Sequence, residues 1–442
     1  MQAEVNRVAN SLVLFMTRTE LINCFIRHRR FQSYLEIGVG IDRENFDRIQ
    51  CEHKQGIDAS YCGEGIQQLD SDAFFRESAD TFDVIFIDGM HEEAQVDRDI
   101  ANSISRLNTG GVVILHDCLP PDEWYQRPAC DYRVGEAWNG TVWKSVLKCF
   151  ATSEFRCYVV DLDWGCGVID TGRHGTSNPR CGLPPALDYR RDFCRLADYV
   201  LSEGRFLTEL YDVAAFYHIA AIGNWEAVIE EHFDLLRTAE INLVRFSYVG
   251  CPDGLDVVSR AAEKAGIQAL LVGYNSELTA YESPAMKMIE DWARTAPESG
   301  SILYFHTKGV SLSWDPIRLL WRKLMNHEVL VNWRQLVPQL DSYDAIGVNW
   351  RNWPPIAHFC GNFWWARVDW VRTLAPFDEY YHNPRYSPTL EDSPRLGCEF
   401  WIGSGPGTPR ILSLVCADQD FTQPDFWSHF SHPALVSPTS SC

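Results

Sequence analysis

Short apolar runs separated by amphipathic stretches organise this chain. Tyr34 to Ile37, Phe82 to Ile87 and Gly111 to Leu115 have strand length and strand composition, and helical periodicity fills about Glu92 to Leu107 between the last two. Phe155 to Asp161 and Gly167 to Ile169 predict closing antiparallel strands. Strands that alternate with helices predict a mostly parallel sheet covered on both faces. Residues 1–30 predict a helical preamble ending in Arg27, Arg29 and Arg30.

Residues Thr171 to Pro185 mix Gly, Pro, Ser, Asn and Arg without periodicity and predict a linker, followed by a helix over about Tyr189 to Tyr211. A second α/β series then begins. Its predicted strands are Ala214 to Ile222, Leu243 to Val249, Ala269 to Gly273, Ile302 to His306 and Ala345 to Asn349. Its predicted helices lie near Trp225–Arg237, Gly254–Ala265, Ser283–Thr295 and Ile317–Leu336. The expected class is α/β with two domains, 1–170 and 213–435, joined by a linker and connecting helix over 171–212. The tail from Ser437 to Cys442 is polar and is expected to fray.

Length alone argues for two cores rather than one, since the chain has 442 residues. The formal net charge is −21, and both halves are acidic, which argues against a nucleic-acid partner. No apolar run reaches the ~18–20 residues of a membrane span. The N-terminus lacks the pattern of a signal peptide, because Glu4 and Arg7 precede only a short run from Leu12 to Met16. The 15 cysteines are scattered and include no C-x-x-C pair, so reduced thiols in a cytoplasmic protein are expected.

Leu35-Glu36-Ile37-Gly38-Val39-Gly40 is an apolar strand running into two glycines, and Gly56-Ile57-Asp58 ends a second strand some twenty residues on. In doubly wound folds a glycine turn lets backbone approach a nucleotide, and an acid at the next strand end accepts ribose hydroxyls. The third glycine of the dinucleotide fingerprint is missing, which argues against an oxidoreductase. Three further blocks follow: Phe82-Asp83-Val84-Ile85-Phe86-Ile87-Asp88-Gly89-Met90-His91, Gly110-Gly111-Val112-Val113-Ile114-Leu115-His116-Asp117-Cys118, and Trp138-Asn139-Gly140-Thr141-Val142-Trp143-Lys144. With the trailing Asp161-Leu162-Asp163-Trp164-Gly165, this series resembles class I S-adenosylmethionine-dependent methyltransferases, in particular sugar and small-molecule O-methyltransferases, over about residues 30–170. The resemblance implies a Rossmann-like sheet. It implies S-adenosylmethionine on Glu36, Gly38, Gly40, Asp58 and Asp88, and catalysis by Asp88, His91 or His116. An alcohol acceptor needs a base, a metal or both, and Asp88 with Asp117 offers hard oxygen ligands to Mg²⁺.

In the second series, Ser301 to Phe305 runs into His306-Thr307-Lys308-Gly309. The stretches Ala220-Ala221-Ile222-Gly223-Asn224-Trp225 and His358-Phe359-Cys360-Gly361-Asn362-Phe363-Trp364-Trp365-Ala366-Arg367 accompany it. Together they resemble bacterial glycosyltransferase-like proteins of GT-A-like fold that carry His-Thr-Lys-Gly, over roughly 213–430. Where many such enzymes end the strand in a metal-holding Asp-x-Asp, this chain has none. Lys308 with His306 and Thr307 is the candidate set for a nucleotide-sugar diphosphate.

Trp residues crowd between Trp314 and Trp401. Asn362, Trp364 and Trp365 are substrate-side candidates, and of the tandem tryptophans one is expected to face a cleft, since neighbours on a strand point to opposite faces. Glu399 is the first candidate for the acceptor base, with Glu391 and Asp392 as alternates. The combined expectation is a bifunctional enzyme of surface-polysaccharide or glycoconjugate synthesis, acting on a glycan or glycolipid acceptor. The alternative is a methyltransferase whose second domain binds glycan without catalysis.

Overall fold

The computed structural model describes residues 16–133, 135–175, 182–312, 315–352, 356–383, 395–415 and 427. The chain divides into two units, Met1–Phe206 and Leu207–Cys442. Glu391, Asp392, Trp314, the run Leu12 to Phe15 and the tail lie outside the described residues.

The first unit is built on eight strands: β1 (Ser33–Ile37), β2 (His53–Asp58), β3 (Ile66–Gln68), β4 (Phe82–Ile87), β5 (Leu107–Leu115), β6 (Phe155–Val160), β7 (Cys166–His174) and β8 (Val200–Leu201). Their order is β3-β2-β1-β4-β5-β7-β6-β8. From β3 to β5 all pairings are parallel, and β7 then runs antiparallel between β5 and β6. Val84, Ile85 and Phe86 on β4 and Val112 to Leu115 on β5 are fully buried, as parallel strands covered on both faces require. Helices Glu93–Ser105 and Val142–Thr152 supply Val96, Trp143, Val146 and Leu147 to one of these faces. The chain builds outward from β1 to β3 and returns to β4. The crevice between the carboxyl ends of β1 and β4 is thus the switch point where open α/β sheets take ligands.

Two expectations differ from the structure here. The strand predicted at Gly167 to Ile169 continues as β7 to His174, into the segment read as linker. The helix expected over Tyr189 to Tyr211 breaks into a short helix Tyr189–Asp192, a 3-10 stretch Phe193–Tyr199, β8, and a helix Glu203–Leu210. The break follows from packing. Tyr189 and Phe193 stack at 4.6 Å and both meet the edge of Trp143, while Val200 and Leu201 pair with β6.

The second unit holds β9 (Val213–Ala220), β10 (Leu243–Val249), β11 (Gln268–Asn275), β12 (Ser301–His306), β13 (Ala345–Gly347), β14 (Trp350–Arg351), β15 (His358–Phe359), β16 (Trp364–Arg367) and β17 (Ile411–Ser413). Seven form one sheet, β11-β10-β9-β12-β16-β13-β17, and β14 pairs with β15 apart from it. β9 to β12 are parallel, and β16 is antiparallel to both β12 and β13. The strand order again reverses between the neighbouring parallel strands β9 and β12. The helix expected over Ile317–Leu336 starts as read, with Asp315 capping and Pro316 in the first turn. It then widens into a π turn at Asn326–Val331 before Trp333–Leu336. No described helix is long and apolar enough to cross a membrane.

Candidate functional sites

The turn after β1 is shaped by two glycines. Gly38 has φ 87°, and a Cβ there would lie 2.4 Å from the Asp88 carbonyl oxygen, so only glycine lets the ends of β1 and β4 meet. Gly40, at φ 71°, donates its amide to Asp58 Oδ2 at 2.9 Å. Asp58 Oδ1 accepts from the Ser60 amide and hydroxyl and from the Tyr61 amide. Burial pushes the Asp58 carboxyl up, but these donors outweigh it and hold the pKa below the usual range. Glu36 is 2% exposed. Its Oε2 accepts from the Tyr34 hydroxyl at 2.6 Å and from Asn45 Nδ2 at 3.1 Å. Burial pushes its carboxyl up to about 8.

Across the crevice, Asp88 follows β4, and His116 and Asp117 follow β5. His116 Nδ1 lies 3.2 Å from Asp88 Oδ1 and 3.3 Å from Asp117 Oδ2. His91 Nε2 is 3.5 Å from Asp88 Oδ1, and His91 Nδ1 is 3.3 Å from Asp117 Oδ2. Burial opposes charge on Asp88, His91 and His116. The mutual attraction of carboxylates and imidazoles wins, holding Asp88 well below the carboxylate range and raising His91 and, further, His116. Asp117 adopts φ 62°, an uncommon conformation for a residue with a side chain, and Asn139 Nδ2 steadies its Oδ1 at 2.7 Å. The Trp138–Lys144 block serves this rim. The Trp138 indole stacks on His91 at 5.1 Å, and the Thr141 amide donates to the His91 carbonyl at 2.7 Å.

Ligand atoms of Asp88, His116 and Asp117 all lie within 4.8 Å of one another. Beside Asp117, the Asn139 Oδ1 is buried without a hydrogen-bond partner. Two carboxylates with an imidazole between them are a donor set that suits a divalent cation such as Mg²⁺.

Sequence reading missed Arg18 and the role of Asp163. Arg18 Nη1 sits 3.1 Å from His116 Nε2, and its backbone and guanidinium both donate to Asp163 Oδ2. Asp163 stands in a stretch the sequence already marked. Arg18 carries no local signal, because its partner lies 98 residues away.

In the second unit a cavity of about 320 Å³ opens at the carboxyl ends of β9, β10 and β12. His218, Glu282, His306, Lys308 and Glu399 line it. Lys308 Nζ pairs with Glu399 Oε1 at 3.4 Å and rests 4.5 Å over the Trp321 ring. His306 Nε2 is 2.9 Å from the Gly361 carbonyl, so it carries the ring proton. Thr307 Oγ1 accepts the Ala220 amide at 2.9 Å and ties β12 to β9.

Three substrate-side expectations are corrected. Trp364 and Trp365 are both fully buried, so neither faces the cleft. Their strand β16 is interior, with a packed layer on each face: Trp364 lies 5.2 Å from Tyr304, and Trp365 stacks on Trp333 at 6.0 Å and donates to the Val329 carbonyl. Asn362 is equally buried. It accepts the Trp364 indole N–H at 2.8 Å and donates to Glu282 at 2.5 Å. Glu282 and His218 were not found from sequence, because neither stands in the marked motifs.

Residues 43–118 match the family model of a methyltransferase domain. Residues 217–407 match a domain family of unknown function. No curated protein matches the chain. Among solved structures, an O-methyltransferase from Bacillus cereus in complex with SAH is 13% identical, covering 38% of this chain and 88% of its own at a TM-score of 0.27. The MycE methyltransferase of the mycinamycin biosynthetic pathway, in complex with Mg, SAH and mycinamycin VI, is 16% identical, covering 41% of this chain and 56% of its own at 0.26. Mouse xyloside xylosyltransferase 1 is 8% identical, covering 43% of this chain and 80% of its own at 0.20.

Proposed function

We propose that the first unit transfers a methyl group from S-adenosylmethionine to a hydroxyl of a sugar-bearing acceptor, and that the second transfers a glycosyl group from a nucleotide sugar. One observation carries the first half: a glycine turn fastened by Asp58 faces the rim of Asp88, His91, His116 and Asp117 across a switch-point crevice. Gly38 and Gly40 leave room for the nucleoside, and Asp58 Oδ2, which accepts the Gly40 amide, has a second lone pair for a ribose hydroxyl. Glu36 lies behind the turn and steadies it through Tyr34 and Asn45.

Methyl transfer needs an aligned acceptor oxygen and a place for its proton. His91, at the rim and only partly covered, takes that proton, and Asp88 and Asp117 stabilise the imidazolium that results. His116, held by Arg18 and both carboxylates, fixes their geometry. A divalent cation held by Asp88 and Asp117 would lower the pKa of the acceptor hydroxyl. Calorimetric titration with S-adenosylhomocysteine, with and without Mg²⁺, tests this half.

For the second half, the support is a cavity at a second switch point that His306, Lys308 and Glu399 line; a lysine cation suits a diphosphate. A non-catalytic glycan-binding module is the competing reading, favoured by the lack of Asp-x-Asp at the end of β12. Hydrolysis of UDP-, GDP- and dTDP-sugars by the wild type and Lys308→Ala separates the two. No binding and no hydrolysis would remove glycosyl transfer.

A further inference from the structure

Two carboxylates reach the second-unit cavity, and their surroundings differ. Glu399 faces Lys308 at 3.4 Å. Among the described residues, the hydrogen bonds to the Glu282 side chain fall on one oxygen: its Oε2 accepts from the Tyr304 hydroxyl at 2.7 Å and from Asn362 Nδ2 at 2.5 Å. Its Oε1 lies 3.7 Å from His306 Nδ1. Because His306 Nε2 donates to the Gly361 carbonyl, Nδ1 is the ring nitrogen that faces that oxygen.

The local backbone is arranged around this carboxylate. Glu282 stands at the N-cap of helix Ser283–Thr295, where an acidic side chain ordinarily reaches back to free amides. Here it makes no cap bond and turns to Tyr304 and Asn362 instead. The preceding Tyr281, also on the cavity wall, has φ 48° and ψ −134°, a strained conformation for a non-glycine residue of the kind that gathers at functional sites. Asn362 is aimed by the Trp364 indole, so the Asn-Phe-Trp stretch acts as a brace for Glu282.

We propose that Glu282, and not Glu399, is the proton-accepting carboxylate of this cavity. The assignment rests on the glycosyl-transfer reading. In the step, the acceptor O–H bond breaks and its proton passes to Glu282 Oε1, with His306 Nδ1 beside it. The acceptor oxygen bonds to the anomeric carbon. The bond from that carbon to the diphosphate breaks, and its electron pair leaves on the nucleoside diphosphate, whose charge meets Lys308. Burial raises the Glu282 carboxyl, which suits a base working near neutrality. The ionisable groups facing it among the described residues are His218, Tyr304, His306, Lys308, Tyr381, Cys398 and Glu399.

The test uses the full-length chain with UDP-glucose, GDP-mannose and dTDP-rhamnose, water serving as acceptor. Glu282→Gln keeps an oxygen for Tyr304 and Asn362, so the fold is expected to survive. It is expected to lower nucleoside diphosphate release on the order of 100-fold or more, to leave donor binding by calorimetry unchanged, and to abolish the rise of rate with pH. Glu399→Gln is expected to keep that rise. Wild-type turnover in Glu282→Gln, or loss of the pH limb only in Glu399→Gln, would overturn the assignment. An infrared difference spectrum of ligand-free wild type and Glu282→Gln gives a donor-independent readout. A protonated-carboxyl band that titrates above the usual glutamate range supports the assignment, and its absence overturns it. Failure of every donor to bind would instead remove the glycosyl-transfer reading.

Discussion

The Gly40 amide donates to the Asp58 carboxylate at 2.9 Å, so the turn after β1 and the end of β2 form one rigid lip of the crevice. Asp58→Ala removes an acceptor shared by Gly40, Ser60 and Tyr61. The expected cost is about 1–3 kcal/mol of stability. A tenfold or greater loss of S-adenosylhomocysteine affinity is also expected, at roughly 1.4 kcal/mol per tenfold. Chemical denaturation and calorimetry measure the two effects separately.

The two glycines of the turn are expected to respond differently. An alanine Cβ at Gly38 meets the backbone of Asp88 and Gly89 at 2.4–2.6 Å, whereas at Gly40 the nearest atom is the Asp42 carboxylate at 3.3 Å. Gly38→Ala combines left-handed strain with a backbone clash and is expected to cost about 3 kcal/mol or more. Gly40→Ala carries only the strain, about 1 kcal/mol. Melting temperatures of the two variants check the order.

Stability should fall with pH through Glu36. Its carboxyl titrates at about 8 in the folded chain against an ordinary 4.5. The unfolded chain therefore binds fewer protons between these values, and stability declines as pH rises through that window. Glu36→Gln removes the titration. The melting temperature of the variant relative to wild type should rise from pH 5 to about pH 8, by the equivalent of a few kcal/mol, and level off above it.

Burial of the tandem tryptophans makes a contrasting prediction. Trp365→Phe deletes the indole bond to Val329 and part of the stack on Trp333, and should destabilise the second unit by about 1–3 kcal/mol. Donor affinity, measured by calorimetry on the folded fraction, should not change.

What the sequence revealed, and what it hid, follows from local physics. Phe82–Ile87 and Leu243–Val249 were legible as strands because β-branched and aromatic residues dominate both short runs. The glycine turn and the rim acids were legible because they sit beside such strands. The break after Tyr189 was not, since it depends on Trp143 offering an edge to Tyr189 and Phe193. The alternation rule misled at Trp364 and Trp365 because it assumes one open face, and β16 has none. Arg18 and Glu282 gain their meaning only from partners far along the chain, His116 and Asn362.

The rim gives a further expectation. Asp88→Asn and Asp117→Asn each remove a hard ligand, so either should weaken Mg²⁺ binding at least tenfold, or about 1.4 kcal/mol, and lower methyl transfer. Binding of S-adenosylhomocysteine should be less affected by Asp117→Asn than by Asp58→Ala. Competition with a fluorescent Mg²⁺ indicator checks the first point.

The most direct measurement is calorimetric titration of the full-length chain with S-adenosylhomocysteine, wild type beside Gly38→Ala and Asp58→Ala. One saturable site that both substitutions weaken or abolish is the expected outcome. No binding to the wild type, or binding that ignores both changes, would contradict the assignment of the β1–β4 crevice to the methyl donor.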